Sequence, residues 1–325
     1  MSTITSTPIT SATSPFLNDV LNGLMAEKKF LSSKYFYDET GDRIFQQIME
    51  MGEYYLTDAE MEILQHQTDE LANVMVSNSG AFDLIELGAG DATKSVHLLK
   101  TLLNRQIEFS YLPIDISQHV IEDLEENLPK KLPDLKVQGL NGDYFAMVKK
   151  AKSLSGRRKI LLFMGANIGN MDVAEAKEFC KALRNELSPE DLLIIGFDLK
   201  KNPRQILAAY DDAAGITKSF NLNLLSRINR ELDGDFEVDQ FDHYASYDPE
   251  TGACKSYLVS LKNQVVNIGD ETISFAANEH IYMEISQKYS LKEINDLAME
   301  TGFTPTADFF DHQKYFVDTV WKVGE

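Results

Sequence analysis

The stretch "IELGAGDATK", residues 85–94, overlaps the end of the apolar run "FDLIEL" (82–87) and leads into "TKSVHLLKTLLNR" (93–105). A short apolar run reads as a buried strand. Val96, Leu98, Leu99, Leu102 and Leu103 recur at the spacing of one helix face. The stretch is therefore a turn between a strand and a helix, and in an open parallel sheet such a turn lies where ligands bind. Gly88 and Gly90 let the backbone come close to a ligand. A dinucleotide fingerprint wants a third glycine, and Thr93 stands in its place; a P-loop is excluded because no Gly-Lys-Ser/Thr follows. On spacing alone an ordinary structural turn fits as well.

The same alternation extends outward. "FSYLPID" (109–115), "LKVQGLNGD" (135–143), "KILLFMGANIG" (159–169) and "DLLIIGFDL" (191–199) read as further strands, and "SQHVIEDLEENL" (117–128) and "DVAEAKEFCKALRNEL" (172–187) as helices. Apolar strands separated by helices imply a parallel sheet covered on both faces. The pattern breaks after 200. A helical stretch, "ILAAYDDAAGITKSFNLNLLSRINREL" (206–232), is followed by alternating segments that read as antiparallel strands, from "FEVDQFDHYASYD" to "IYMEISQKYS". The α/β pattern returns at "SLKEINDLAMETG" (290–302), where Ser290 and Glu293 have capping-box spacing and Gly302 suits a helix end. A hairpin, "TPTADFFD" and "YFVDTVWKV", closes the chain. The expected organisation is a sheet domain over 61–200 plus 288–325, a second α+β module over 16–60 plus 201–287, and a flexible Ser/Thr-rich tail over 1–15.

With 325 residues, 43% of them hydrophobic, the chain can bury a sizeable core. A formal net charge of −20 argues against nucleic acid or an anionic membrane as a partner. No apolar stretch reaches about 18 residues, so no membrane span is expected. Cys180 and Cys254 lack metal-ligand spacing, and no secretory signal precedes them; a cytoplasmic protein, working as a monomer, is the expectation. The six histidines are scattered over different segments without ligand spacing, so no metal is expected.

Two acids sharpen the reading of the turn. Asp115 ends the second strand, where a carboxylate can accept from both hydroxyls of a ribose. Asp143 and Tyr144 follow the third, where an acid can accept from an adenine amine and an aromatic ring can pack on the base. A glycine turn and two acids on three successive strands suit an adenosine ligand without phosphates, which describes S-adenosylmethionine. The fold class this implies is the Rossmann-like doubly wound sheet of class I methyltransferases, with the closing antiparallel hairpin, carrying an inserted α+β substrate-binding domain.

Several segments also resemble a known family. "SSKYFYDETGDRIFQQIMEMGEYYLTDAEMEIL" (32–64), "ELGAGDATK" (86–94), "MGANIGN" (164–170), "AYDDAAGITKSFNLNLLSRINREL" (209–232) and "MEISQKYS" (283–290) are similar to the histidine-specific methyltransferases, including the histidine Nα-methyltransferases of ergothioneine biosynthesis. The resemblance implies cofactor contacts from Gly88, Gly90, Lys94, Asp115, Asp143 and Tyr144. It places Tyr54, Gly165, Asn170 and Tyr210 around the substrate's amino and carboxylate ends, Tyr37 near the reacting amine as the catalytic residue, and Glu284 and Ser286 at the imidazole. A carboxylate–hydroxyl pair can serve both ring nitrogens. The chain departs from the family pattern at Ala166-Asn167, where Ser-Thr is common, and at Ser256-Tyr257, where a Met-Trp pair is usual. Methylation of another amino acid, methylation of a ring nitrogen, and a non-enzymatic S-adenosylmethionine sensor are the alternatives. Ordinary structural roles also fit single residues: Asn170 could simply cap the helix that follows it.

Overall fold

The computed structural model describes residues 14–76 and 80–324. The expected tail lies almost wholly outside them, except that Ser14 accepts from the Phe16 amide at 3.2 Å and caps helix α1 (Pro15–Leu24). The chain divides into two compact units. The larger holds 52–209, 247–254 and 285–325; the smaller holds the described residues up to Met51 together with 210–246 and 255–284.

In chain order, α2 (Glu39–Glu50), α3 (Leu56–His66) and α4 (Thr68–Met75) precede strand β1 (Phe82–Leu87), α5 (Ser95–Asn104), β2 (Phe109–Asp115), α6 (Gln118–Lys131) and β3 (Leu140–Asn141). Then come α7 (Tyr144–Leu154), β4 (Arg158–Phe163), α8 (Val173–Glu186), β5 (Leu192–Asp198), α9 (Pro203–Ala208) and α10 (Ile216–Leu232). Strands β6 (Phe241–Tyr247), β7 (Ala253–Ser260), β8 (Gln264–Ile268), β9 (Glu271–Phe275) and β10 (His280–Gln287) follow. The chain closes with α11 (Leu291–Glu300), β11 (Phe303–Phe310) and β12 (Phe316–Val323).

The larger unit is built on a seven-stranded sheet of order β3-β2-β1-β4-β5-β12-β11. The first five strands are parallel, and β12 and β11 are antiparallel to their neighbours. Strands β1 and β5 are buried along their whole length, as a sheet covered on both faces requires. One apolar layer joins Leu84, Leu162 and Ile194 to Leu71, Leu98 and Leu102; the opposite layer joins Ile85, Leu161 and Leu193 to Cys180, Leu183 and Trp321. At ~25 cal/mol per Å2 these layers supply most of the drive to fold. The capping box at the start of α11 forms, Ser290 accepting from Glu293 and Glu293 from Ser290. Gly302 takes the left-handed conformation expected after a helix, at φ +86°.

Three expectations need correction. The third strand shrinks from 135–143 to Leu140–Asn141. Lys136 and Gln138 do pair with Tyr111, but the Gly139 amide donates to Glu125 Oε1 at 2.7 Å and leaves the ladder. The fourth strand stops at Phe163, because Gly165 (φ +76°) and Ala166 (φ +54°) both turn left-handed before a 3₁₀ turn over Asn167–Asn170. The helical stretch 206–232 is two helices, α9 and α10. Asp212 between them accepts from the Ile216 and Thr217 amides at 2.9 and 2.8 Å and starts α10 afresh. Helix α7 went unread in the sequence. Its buried positions, Val148 and Ala151, are sparse among Lys149, Lys150 and Lys152, so its apolar stripe is narrow.

In the smaller unit α2 packs on α10. The rings of Tyr37, Phe45 and Phe220 meet edge-on or tilted at 5.5–5.8 Å, and Phe36 meets Phe220 at 4.9 Å. Asp38 caps α2 through the Gly41 amide at 2.7 Å and accepts from Asn223 Nδ2 at 2.9 Å. Strands β8 and β9 form an antiparallel hairpin, and β10, β7 and β6 form a separate three-stranded sheet.

Candidate active site

Strand register in the larger unit brings the glycine turn and two strand ends to one edge. Leu87 is opposite Ile114 and Asp115 opposite Asn141. The Gly88 amide donates to the Ile114 carbonyl at 2.8 Å, so the turn folds over the end of β2. At Gly88 glycine is required twice. Its φ is +69°, and a Cβ there would lie 2.8 Å from the Tyr144 hydroxyl. Asp115 accepts from the Gly90 amide at 3.3 Å and the Ser117 amide at 2.9 Å, one on each oxygen. A carboxylate has about four acceptor positions, so capacity for two hydroxyls remains.

Asp115, Ile116, Gly142, Asp143 and Tyr144 line one cleft of roughly 240 Å3. Asp143 lies just past β3 and caps α7, accepting from the Ala146 amide at 3.0 Å. Tyr144 is half-buried, its ring edge-on to Phe163 and Phe179. Burial raises its phenol above the ordinary range, and the Asp115 charge adds to that. The cleft therefore combines two carboxylates, an aromatic ring and an apolar side chain beside a turn that only glycine can make. Its chemistry suits a nucleoside. Ile116 is 82% exposed, an isolated apolar side chain that a flat base would cover; sequence reading passed over it because it follows the strand instead of belonging to it.

Behind the turn stands a buried polar layer. Glu86 accepts from Tyr111 at 2.5 Å and from Ser95, tying β1 to β2 and to the first turn of α5. Burial pushes its carboxyl up to about 7, with the two hydroxyl bonds opposing. Lys94, expected at the cofactor, has its ammonium paired with the fully buried Glu60. Burial tends to lower its pKa, but the Glu60 charge and hydrogen bond outweigh that and raise it. Glu60 also accepts from the Gly165 amide at 2.6 Å and so holds the left-handed turn after β4. Lys94 is thus tied to that turn through Glu60. Glu60 carried no sequence signal beyond helical spacing.

The larger unit carries four of the residues expected around an amino acid, Gly165 of the left-handed turn after β4 among them. Tyr54 is half-buried ahead of α3. Asn170 is exposed at the end of the 3₁₀ turn, and Ser286 is half-buried on β10. Asn170 is not the cap of α8; Asp172 holds that place with a full capping box to Glu175. The smaller unit carries Tyr210, which is buried, together with Tyr37 and Glu284. Tyr282, Glu284 and Ser286 alternate with the buried Ile281, Met283 and Ile285, so all three sit on one face of β10. Tyr37 is 49% exposed. Desolvation raises its phenol, and the negative charges of Glu284 and Asp42 act in the same direction. Half exposure limits the size of that effect, but the sign makes Tyr37 a neutral hydrogen-bonding group at ordinary pH. Ser256 is fully buried, while the Tyr257 ring meets those of Tyr282 and His280 at 5.9 and 5.3 Å.

Among the described residues Glu62, Asp311 and His312 bring ligand-type atoms within 4.8 Å of one another. Asp311 is already occupied by the amides of Gln313, Tyr315 and Phe316, at 2.7–3.0 Å, and His312 Nδ1 bonds Glu62 at 2.6 Å. The cluster reads as a turn cap with a surface ion pair. Cys180 and Cys254 are buried and not disulfide-linked, and no helix among the described residues is long and apolar enough to cross a membrane.

Comparison with known proteins agrees with this geometry. The chain is 32% identical over 298 residues to a histidine N-alpha-methyltransferase of Mycolicibacterium smegmatis, covering 91% of each chain. It is 33% identical over 273 residues to the histidine N-alpha-methyltransferase of Mycobacterium tuberculosis, covering 83% of each. It is 26% identical over 323 residues to an L-tryptophan methyltransferase of Psilocybe serbica, covering 91% of this chain and 90% of that one. The model of the histidine-specific, S-adenosylmethionine-dependent methyltransferases matches residues 16–323, and the chain belongs to that family.

Proposed function

We propose that the protein transfers methyl groups from S-adenosylmethionine to the α-amino nitrogen of L-histidine, in successive steps that end at trimethylhistidine, as ergothioneine biosynthesis requires. The observation that carries the reading is the cleft of Asp115, Asp143 and Tyr144 beside Gly88, in a chain whose bacterial relatives are named for this activity. Asp115 would hold the ribose hydroxyls, Asp143 and Tyr144 the adenine, and Gly88 and Gly90 would give the backbone room. Ile116 would cover the base. Bound S-adenosylmethionine supplies an electrophilic methyl on a sulfonium.

The residues of this chain have the simpler task of orientation. Tyr54, Asn170 and Tyr210 would offer neutral donors to the substrate's carboxylate and amine, and Gly165, with no side chain, would leave backbone open to it. Glu284 accepts from an imidazole N–H, and Ser286 pairs with the other ring nitrogen. Tyr37 acts as a hydrogen-bond partner that aligns the amine. Its raised phenol makes it a poor general base. A strong base is unnecessary, since an α-amino group of pKa about 8 is partly deprotonated at neutral pH. Alignment and removal of water then contribute most of the acceleration. A pocket that pairs both ring nitrogens rejects an apolar analogue, because its own polar groups would be left unpaired.

The relative named for tryptophan favours a second reading, N-methylation of another amino acid. Glu284 and Ser286 together speak against it, since an indole offers a single N–H. A small-molecule substrate and work in the cytoplasm as a monomer complete the proposal; two buried cysteines outside any disulfide accord with a reducing compartment. Incubation with methyl-labelled S-adenosylmethionine and histidine, followed by mass spectrometry, should yield mono-, di- and trimethylhistidine. Label on a different amino acid, or none on histidine, would remove the reading.

A further inference from the structure

Six basic residues and no acidic one fall within the eleven residues "KKAKSLSGRRK", 149–159, in a chain whose formal net charge is −20. The run spans the end of α7, the turn after it and the start of β4. That turn and the one between α8 and β5 enclose a cavity of about 440 Å3 in the larger unit, lined among others by Lys152, Arg157, Arg158, Lys159 and Ser188. The cavity lies at the N-terminal ends of β4 and β5. The glycine turn lies at the opposite edge of the sheet, ~20 Å away along the six residues of a strand such as β4.

The charges around this cavity are unequally matched. Lys159 is spent inward: its ammonium pairs with Asp83 at 3.1 Å and donates to the Ser155 carbonyl at 3.0 Å. Arg157 pairs with Glu108 at 2.9 Å. Two acids line the cavity, and both are taken. Asp191 accepts from the Lys159 and Ser188 amides at 2.7 and 2.8 Å, and Glu190 pairs with Lys322 at 2.6 Å. Arg158 differs. Its hydrogen bonds go to neutral acceptors, the Glu190 and Met75 carbonyls, at 2.5 and 2.6 Å. They fix the half-buried guanidinium from two segments and leave three of its five N–H groups. Burial works against its charge, with Asp191 and Glu190 opposing, and a guanidinium stays protonated regardless. Lys152 is exposed and has no ion pair or hydrogen bond among the described residues, and neither has the exposed Ser188 hydroxyl.

We propose that this cavity is a ligand site for a small phosphate-bearing anion, held by the fixed fork of Arg158, the ammonium of Lys152 and the Ser188 hydroxyl. Two cations without a carboxylate partner match a charge of about −2, which a phosphoryl group carries near neutral pH. A carboxylate ligand would leave one of them over. Guanidinium N–H groups fit the oxygens of a phosphate, and an ammonium adds a point charge. The volume exceeds that of a bare phosphate and falls within the range of small-molecule sites, so the body of a phosphomonoester has room. The net charge of −20 works against a nucleic acid or another long polyanion. None of these residues lines the cleft of Asp115 and Tyr144, so the proposal stands apart from the methyl-transfer reading.

The test is a ³¹P NMR titration of the full chain with inorganic phosphate and with ribose 5-phosphate, at low salt. Saturating S-adenosylhomocysteine keeps both probes out of the cofactor cleft. Saturable binding is expected for at least one probe. Tighter binding of ribose 5-phosphate assigns the site to a phosphorylated metabolite, and tighter binding of phosphate assigns it to the free ion. Lys152→Ala should weaken binding about tenfold, the loss of one charge-assisted hydrogen bond. Its fold stays intact, since Lys152 is exposed and holds no partner. Arg158→Met should weaken binding further. Lys100→Ala removes an exposed lysine of α5 that does not line the cavity and should bind as wild type does. Acetate at the same ionic strength should not compete. Absence of saturable binding for both probes overturns the proposal. So does binding that survives Lys152→Ala and Arg158→Met, or an equal loss in Lys100→Ala, which would mean an adventitious attraction to surface charge.

Discussion

Asp115, Asp143 and Tyr144 line one cleft because neighbouring strand ends of a single sheet deliver them, each within a few residues of the next turn. Tyr37, Tyr210 and Glu284 reach their places differently: one ahead of α2, one between α9 and α10, one in the middle of β10. The proposed cofactor side uses a geometry that the fold provides wherever a parallel sheet ends. The proposed amino-acid side uses positions that no fold rule singles out. Substitutions in the first set should therefore weaken one ligand in a predictable way, while those in the second should alter substrate choice and rate with the cofactor still bound.

The sharpest break of that comparison is Asp115→Ala. Two hydrogen bonds to a charged acceptor are lost, about 1.5–3 kcal/mol each. S-Adenosylhomocysteine affinity should fall on the order of 100-fold or more by calorimetry, with histidine recognition affected only through the missing cofactor. An affinity within a few-fold of wild type would show that the cleft is not the nucleoside site. Gly88→Ala comes next. A left-handed φ costs a non-glycine residue roughly 1–2 kcal/mol, and the Tyr144 hydroxyl must move as well. A tenfold or greater loss of cofactor affinity is expected, and Gly88→Ala combined with Tyr144→Phe should recover part of it.

Glu284→Gln addresses the other region. It should raise the KM for histidine by about 10- to 100-fold, the worth of one charge-assisted hydrogen bond, and leave S-adenosylhomocysteine affinity unchanged. A matching loss for both ligands would erase the distinction between the regions. Tyr37→Phe should lower kcat roughly tenfold, a smaller effect because orientation is lost and a proton acceptor is not. The pH profile should keep its shape; a lost limb would mean that Tyr37 titrates in turnover.

An effect on stability, separate from either ligand, concerns the layer behind the glycine turn. The folded pKa of Glu86, about 7, lies above its ordinary 4.5, so the folded state binds the proton more tightly than the unfolded chain. The stabilisation this gives is full below pH 4.5 and is lost as pH rises to about 7. At ~1.4 kcal/mol per unit the swing is roughly 3 kcal/mol at most. Glu86→Gln should remove it. Denaturant unfolding of the two proteins at pH 5 and pH 8 should show the variant gaining relative stability at pH 8. A constant difference between them would mean that Glu86 stays ionised throughout.

The two regions also differ in how far the sequence reveals them. The turn at 85–94, the order of strands and helices up to β5, and the closing hairpin follow from periodicity and glycine placement. That Asp115, Asp143 and Tyr144 come to one cleft was legible because each lies at a strand end or within three residues of one. The third strand was overdrawn because its alternation continues past Gly139, where the Glu125 side chain takes the backbone amide, and a side-chain bond from another element leaves no local trace. The helix at 206–232 was drawn as one because its apolar spacing runs through, while Asp212 breaks it by capping. Glu60, Lys288 and Asp198 were invisible for a similar reason. A buried charge is read from its partner, and the Glu60–Lys94 and Asp198–Lys288 pairs join residues far apart in the chain. On the amino-acid side it was family resemblance that singled out the residues, with strand alternation adding only that Glu284 and Ser286 share a face.

The most direct measurement is the position of the transferred methyls. Histidine labelled with ¹⁵N at all three nitrogens, incubated with the protein and S-adenosylmethionine, should give methyl signals that correlate by NMR with the α-nitrogen alone, growing to three methyls on that atom. Methyl correlations to either ring nitrogen, or an unmodified α-nitrogen after the cofactor is consumed, would contradict the account.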